Sequence, residues 1–227
     1  MPTNSNDSIA GRLNAAQMAI SNSLADAEIQ SLVAGYGYSS DKLNAGQSLY
    51  YSALAAVTAQ KAAAGAQKQS TQEMDAAEVS ARDAFLSLSK VARAIFKNDK
   101  ARLTALGLTG KAPDNTAEFL ASASALFDNA AGAPTLAEYG YEAGRLESER
   151  VKIAAFNLAN QRQQAAKGAA QQATREQEAA LTSLDAWRAQ YIKIARVALR
   201  EKRQLLEKIG VLARTTPRAA RKKPVTT

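Results

Sequence analysis

Apolar positions in this chain recur three and four residues apart over long distances, the spacing of one face of an α-helix. In the second half, Phe156, Ala159, Gln163, Ala166, Ala170, Ala173, Gln177, Ala180, Leu184, Trp187, Tyr191, Ile194 and Ala198 keep this alternation without a stutter. In the first half, Ala53, Ala56, Gln60, Ala63, Gln67, Ser70, Met74, Ala77, Ala81, Ala84, Leu88, Val91 and Ile95 do the same. The middle of each stripe is small and polar, and its C-terminal third is large and apolar. The pattern predicts one long helix from near Ser39 and another from near Glu142, ending at Gly107 and Gly210, each ~65 residues and roughly 100 Å long if unbroken. The alternative is a break near Gly65 and Gly168. Continuity is favoured, because a lone glycine costs only about 1 kcal/mol relative to Ala in a helix.

The two stripes are versions of each other. Tyr36-Gly37-Tyr38 recurs as Tyr139-Gly140-Tyr141, an offset of 103. Holding that offset from residue 36 to 110 aligns 75 pairs without a gap, of which 21 are identical. Gly65-Ala66 matches Gly168-Ala169, and Lys90-x-Ala92-Arg93 matches Lys193-x-Ala195-Arg196. A tandem duplication is the reading. Each copy would hold a shorter helix, over 7–33 or 116–129, then the Tyr-Gly-Tyr turn, then the long helix. Asp114, Asn115 and Thr116 are N-cap candidates for the second short helix. Gly107 and Gly210, each followed by an apolar residue, read as glycine C-caps.

The fold class expected is all-α: an elongated antiparallel bundle or coiled coil of two copies, 1–112 and 113–213, with a basic tail over 214–227. The small side chains along the centre of the stripes would allow close helix approach. The linker near 107–115 would be stretched in such a monomer, so a domain-swapped homodimer stays open. Phe156, Ala166, Ala170, Ala173, Leu184, Trp187, Tyr191 and Ile194 are the candidate self-association seam.

Composition narrows the chemistry. The 227 residues include no Cys and no His. That removes disulfides, thiolate nucleophiles and the commonest metal ligand and neutral-pH proton shuttle. Glu147, Glu149, Glu178, Asp75 and Asp185 do not make a di-metal bundle site, which ordinarily needs Glu-x-x-His pairs. No phosphate-binding glycine motif is present. The expectation is therefore a non-enzymatic protein with no cofactor and no metal. Alanine makes up 51 residues and aromatics only 13, a composition that favours closely packed helices. The N-terminal stretch lacks the pattern of a secretory signal, and no apolar run is long enough to span a membrane. A cytoplasmic setting is the default expectation, and a pore-forming role is disfavoured.

Charge is uneven. The chain carries +8 overall. Residues 193–227 hold 11 Lys and Arg against two acids, a local +9, so everything before them sums to −1. Arg214, Arg218, Arg221, Lys222 and Lys223 are candidates to contact nucleic-acid phosphates, an anionic membrane surface or an acidic protein patch; solubility alone is the plain alternative. Lys90 and Arg93, with Lys193 and Arg196, place two cations on one helical face in each copy. They are candidate anion contacts, although basic stems flanking an apolar seam are the commoner arrangement. The Tyr-Gly-Tyr turn is read as structural, with glycine supplying a positive φ and the tyrosines packing the hairpin.

Gly37-Tyr38, Lys42-Leu43, Gln69-x-Thr71, Lys90-Val91-Ala92-Arg93 and Leu106-Gly107-Leu108-Thr109-Gly110 carry a resemblance. With their counterparts Ala173-Thr174, the stretch from Lys193 to Leu199 and the stretch from Leu205 to Gly210, they make the chain resemble a family of bacterial all-helical proteins with an internal duplication and no assigned activity. The resemblance covers roughly residues 30–213 and implies the fold, not a function. The leading expectation is a self-associating structural or assembly protein. The alternative is a nucleic-acid-associated architectural protein acting through its basic tail.

Overall fold

Alanine-rich sequence with few helix breakers gives a chain that is nearly all helix. The computed structural model describes residues 8–110 and 113–211, and among these there are seven α-helices and no strand. The helices are α1 (Ile9–Ala25), α2 (Ala27–Ala34), α3 (Ser40–Ile95), α4 (Lys100–Ala105), α5 (Thr116–Ala130), α6 (Ala143–Ala198) and α7 (Arg203–Lys208), with a 3-10 turn at Pro134–Tyr139 before α6. No helix is long and apolar enough to cross a membrane among the described residues.

The long helices α3 and α6 each contain 56 residues. They run through Gly65 and Gly168 without a break. Several of their serines and threonines donate back to carbonyls four residues earlier, as Ser80 does to Ala76 (3.1 Å) and Ser183 to Ala179 (3.0 Å). All 26 positions of the two stripes are buried or half-buried.

Three boundaries differ from the expectation. The long helices end twelve residues before Gly107 and Gly210, because the chain turns at 96–99 and 199–202 into the short helices α4 and α7. Asp99 caps α4 by accepting from the Arg102 amide (2.9 Å), a local bond that competes with helix continuation. The first short helix is two helices: Asp26 leaves α1 in an extended conformation and its carboxylate accepts from the amides of Glu28 (2.9 Å) and Ile29 (3.2 Å), starting α2. The 3-10 turn occupies the corresponding place before α6, with Pro134 in its first turn. At the start of α5 the capping residue is Asn115, whose side chain accepts from the Glu118 amide.

Among the described residues four have positive φ, and all are glycines: Gly37 (81°), Gly107 (71°), Gly140 (82°) and Gly210 (82°). Each closes a helix by a paired hydrogen-bond pattern. Tyr38 and Gly37 donate to Val33 and Ala34, and Tyr141 and Gly140 to Leu136 and Ala137. Leu108 and Gly107 donate to Leu103 and Thr104, and Val211 and Gly210 to Leu206 and Glu207. The residue after each glycine (Tyr38, Tyr141, Leu108, Val211) is buried, the apolar contact that accompanies this cap.

The chain forms two compact units. Among the described residues, the first takes 8–60 and 173–211, the second 61–110 and 113–172. Each unit therefore combines short helices and a long-helix end from both halves of the chain. In the first, Tyr38 and Leu43 at the start of α3 pack with Tyr191 and Ala195 near the end of α6, and Ala19, Val33, Ile209 and Val211 close the cluster. A neighbouring cluster joins Ala16 and Ile20 of α1 to Ala53, Val57, Leu181 and Leu184. In the second unit, Tyr141 and Leu146 at the start of α6 pack with Leu88, Ala92 and Phe96 at the end of α3, closed by Leu126, Leu136, Leu106 and Leu108. Within each unit one long helix runs antiparallel against the other.

Candidate functional site

Helix α5 and the first turns of α6 leave a groove between them in the second unit. One part, about 470 Å³, is lined by Leu120, Ala121, Ser124 and Asp128 from α5 and by Glu147, Arg150, Val151, Ile153, Ala154 and Asn157 from α6. The spacing explains the shape. Positions 120, 124 and 128 fall on one face of α5, and 147, 150, 154 and 157 on one face of α6. Between facing helices, alanines and a serine fill less space than leucines would. A second hollow of about 560 Å³ shares Asp128, Glu147 and Arg150 with the first and extends over Phe127, Ala130, Ala133, Pro134, Ala137, Tyr141, Ala143 and Leu146.

Arg150 stands where the two hollows meet. Its guanidinium lies 3.3 Å from Asp128 on α5 and 3.1 Å from Glu147 on its own helix. All three side chains are more than half exposed (53%, 59% and 61%), so these pairs are weak and exchangeable, about 0–1 kcal/mol each. The floor is apolar: Phe127, Ala130, Ile153 and Leu146 are buried. Val151 on the wall is exposed (57%), an uncovered β-branched side chain beside a charged rim. In the second hollow, burial pushes the Tyr141 hydroxyl above its ordinary pKa of 10.0, and the Arg145 guanidinium lies 4.4 Å from the centre of that ring.

The first unit has a corresponding place. It is a hollow of about 270 Å³ lined by Gln17, Ile20, Ser21, Gln47, Tyr50, Tyr51 and Leu54. Gln47 stands 103 residues before Arg150 and Ser21 stands 107 before Asp128. No charged residue lines it.

The seam residues named from the sequence are buried or half-buried within the single chain. Phe156, Leu184 and Tyr191 are fully buried in the cores described above, and Ala170 and Ala173 are buried. Trp187, Ile194 and Ala166 are half-buried. Trp187 stacks on Tyr191 (5.2 Å between centroids, 18° between planes) and donates its indole N–H to the Lys42 carbonyl (3.2 Å). The Tyr191 hydroxyl meets that of Ser23, which itself donates to the Ala19 carbonyl (2.6 Å). Tyr191 is thus the donor of that pair.

The basic pairs are separated: Lys90 and Arg93 lie in the second unit, Lys193 and Arg196 in the first. All four are exposed beside the buried Ala92 and Ala195. Arg93 has a structural task, donating to the Leu108 carbonyl (3.4 Å) after the glycine cap. Arg214, Arg218, Arg221, Lys222 and Lys223 lie outside the described residues. In the Tyr-Gly-Tyr turns only the second tyrosine packs; Tyr36 and Tyr139 are exposed.

Several structural residues escaped the sequence reading. Asn22 donates to the Lys208 carbonyl (2.5 Å) and Asn129 to the Ala105 carbonyl (2.8 Å), each fastening the last turn of a short helix in its unit. Arg12 pairs with Asp185 (2.6 Å). The only signal for the asparagines was position: Asn22 and Asn129 stand 107 residues apart, an offset hidden by four residues of length difference before the Tyr-Gly-Tyr turn. Among the described residues no group of three or more acidic side chains is placed to hold a metal ion. No family model, curated protein or solved structure matches the chain.

Proposed function

We propose that this chain is a non-enzymatic scaffold subunit, built from two tandem copies of one helical module and associating with further copies of itself. The observation that carries the association is the groove of the second unit, with its apolar floor, exposed Val151 and exchangeable ion pairs. An apolar floor beside a charged, exchangeable rim suits a partner surface.

The duplication is supported by equivalence of position. Helices α3 and α6 begin and end 103 residues apart, as do α4 and α7. The four positive-φ glycines fall into two pairs at the same offset. The buried positions of α1 (Ala16, Ala19, Ile20, Ser23) correspond, 107 residues on, to Ala123, Leu126, Phe127 and Ala130 of α5.

Sedimentation velocity over a hundredfold range of concentration tests the proposal. Association that grows with concentration is expected; a sedimentation coefficient that stays at the monomer value throughout would defeat it. The local +9 over residues 193–227 supports a second reading, nucleic-acid association through the tail. Duplex binding that weakens steeply with salt and vanishes on truncation after Leu212 would favour it.

A further inference from the structure

The two equivalent hollows differ in charge, and the difference points to an occupant. The lining of the second unit's groove carries Asp128 and Glu147 against Arg150, a net −1, where the equivalent hollow of the first unit carries no charge. Residues 212–227 carry five cations and no acid, a net +5. We infer that the groove of the second unit receives the basic segment 212–227 of a second copy of this chain. The inference rests on the scaffold reading above and specifies its contact.

The groove fits arginine and lysine in chemistry as well as charge. Asp128 and Glu147 hold Arg150 through exposed pairs, so an incoming guanidinium can take either carboxylate without stripping a buried charge. Arginine does this in a planar two-pronged geometry that lysine lacks. The apolar floor at Phe127, Ala130 and Leu146 accommodates the aliphatic stems. The first unit offers no such site, because its hollow has Ser21 and Gln47 where the second has Asp128 and Arg150. Segment and groove are different parts of the chain, so the contact joins unlike surfaces of successive copies and propagates until a rotation closes it.

The test uses four proteins: the full chain, the chain truncated after Leu212, the full-length double variant Asp128→Lys/Glu147→Lys, and its neutral counterpart Asp128→Asn/Glu147→Gln. Light scattering at 50 and 300 mM salt reads their mass. A fluorescent peptide of residues 212–227 reads binding to the truncated chain, with and without the groove changes. Circular dichroism verifies folding, and the neutral variant stands in if the charge reversal unfolds the second unit. Expected are oligomers of the full chain at 50 mM salt, and monomers for the truncated and charge-reversed proteins. Peptide affinity should fall at least tenfold on charge reversal and several-fold on neutralisation. Oligomers that survive both truncation and reversal would overturn the inference while leaving self-association standing. A full chain that stays monomeric at every concentration removes both. Peptide that binds equally to the reversed groove, or a tail that binds duplex DNA while groove changes alter nothing, also overturns it.

Discussion

The two units solve one packing problem with opposite chemistry. Where the first unit sets Arg12 against Asp185 in an ion pair (2.6 Å), the second has Phe119 and Arg82 in a cation–π contact (4.5 Å) at the corresponding positions. Where the first places the Ser23 and Tyr191 hydroxyls together, the second has Ala130 and Leu88. The first unit ties α7 back through Lys208–Asp26 (2.8 Å) and Lys202–Glu28. The second runs an aromatic chain, Phe85 to Phe119 (5.5 Å) to Phe156 (6.0 Å), where the first joins Tyr38, Trp187 and Tyr191. Size is exchanged in the same way. Gly46 faces Trp187 in the first unit; the matching residues of the second are Glu149 and Ala84. What persists between the units is the pair as a contact, not the identity of either member.

This contrast can be broken at chosen points. The largest effect is expected from Phe119→Ala, which removes the ring joining Phe85, Phe156 and Arg82 from a fully buried site and should cost about 3–5 kcal/mol. Hydrogen exchange should show protection lost over α5 and the adjoining turns of α3 and α6 before the first unit responds. Uniform loss across both units would contradict independent cores. Next is Gly46→Ala. A Cβ there would fall inside the Trp187 indole, and overpacking of this kind costs roughly 1–3 kcal/mol. Glu149→Ala at the matching position of the second unit should cost less; thermal melts of the two variants side by side decide it.

Acid sharpens the comparison further. The hydrogen bond from Lys208, joined by the Ile29 and Glu28 amides, holds the Asp26 carboxyl below its ordinary value of 3.8. A depressed folded-state pKa means stability that is complete above that ordinary value and lost as pH falls through the lower folded one. Titration below about pH 4 should therefore loosen α2 and α7 first, and Asp26→Asn should erase the difference; exchange rates of the Glu28 and Ile29 amides report it. The smallest effect is a gain. Gly65 and Gly168 sit inside continuous helices with nothing within 4 Å of a new Cβ, so each Gly→Ala change should add about 0.5–1 kcal/mol. A decrease in melting temperature would show that these positions are not plain helix interior.

The parts of the fold legible in the sequence were those with local causes. Gly37, Gly107, Gly140 and Gly210 could be read as turns because few other residues tolerate positive φ there, and the 3,4 spacing located both long helices. Boundaries were less legible. Ala25-Asp26-Ala27 offers helix formers on both sides, and only the bonds from Glu28 and Ile29 to the Asp26 carboxylate reveal the break. The ends at Ile95 and Ala198 depend on Phe96 and Leu199 turning into the cores. Compensated pairs such as Gly46 with Trp187 were invisible, since neither residue predicts its partner 141 positions away. The groove was hidden for a related reason: it exists because Ser124, Ala121 and Ala154 are small on facing helices, and facing is a property of the fold.

Asn129 has a final consequence. The last carbonyls of a helix have no donor within it, and in α4 the amide of Asn129 supplies one to Ala105 from a different helix. Peeling away the end of α4 therefore leaves the α5 side chain without its acceptor, and lifting α5 uncovers the α4 carbonyl. Two segments that would fray separately in isolation are made to let go together, and a six-residue helix too short to persist alone takes on the lifetime of its neighbour.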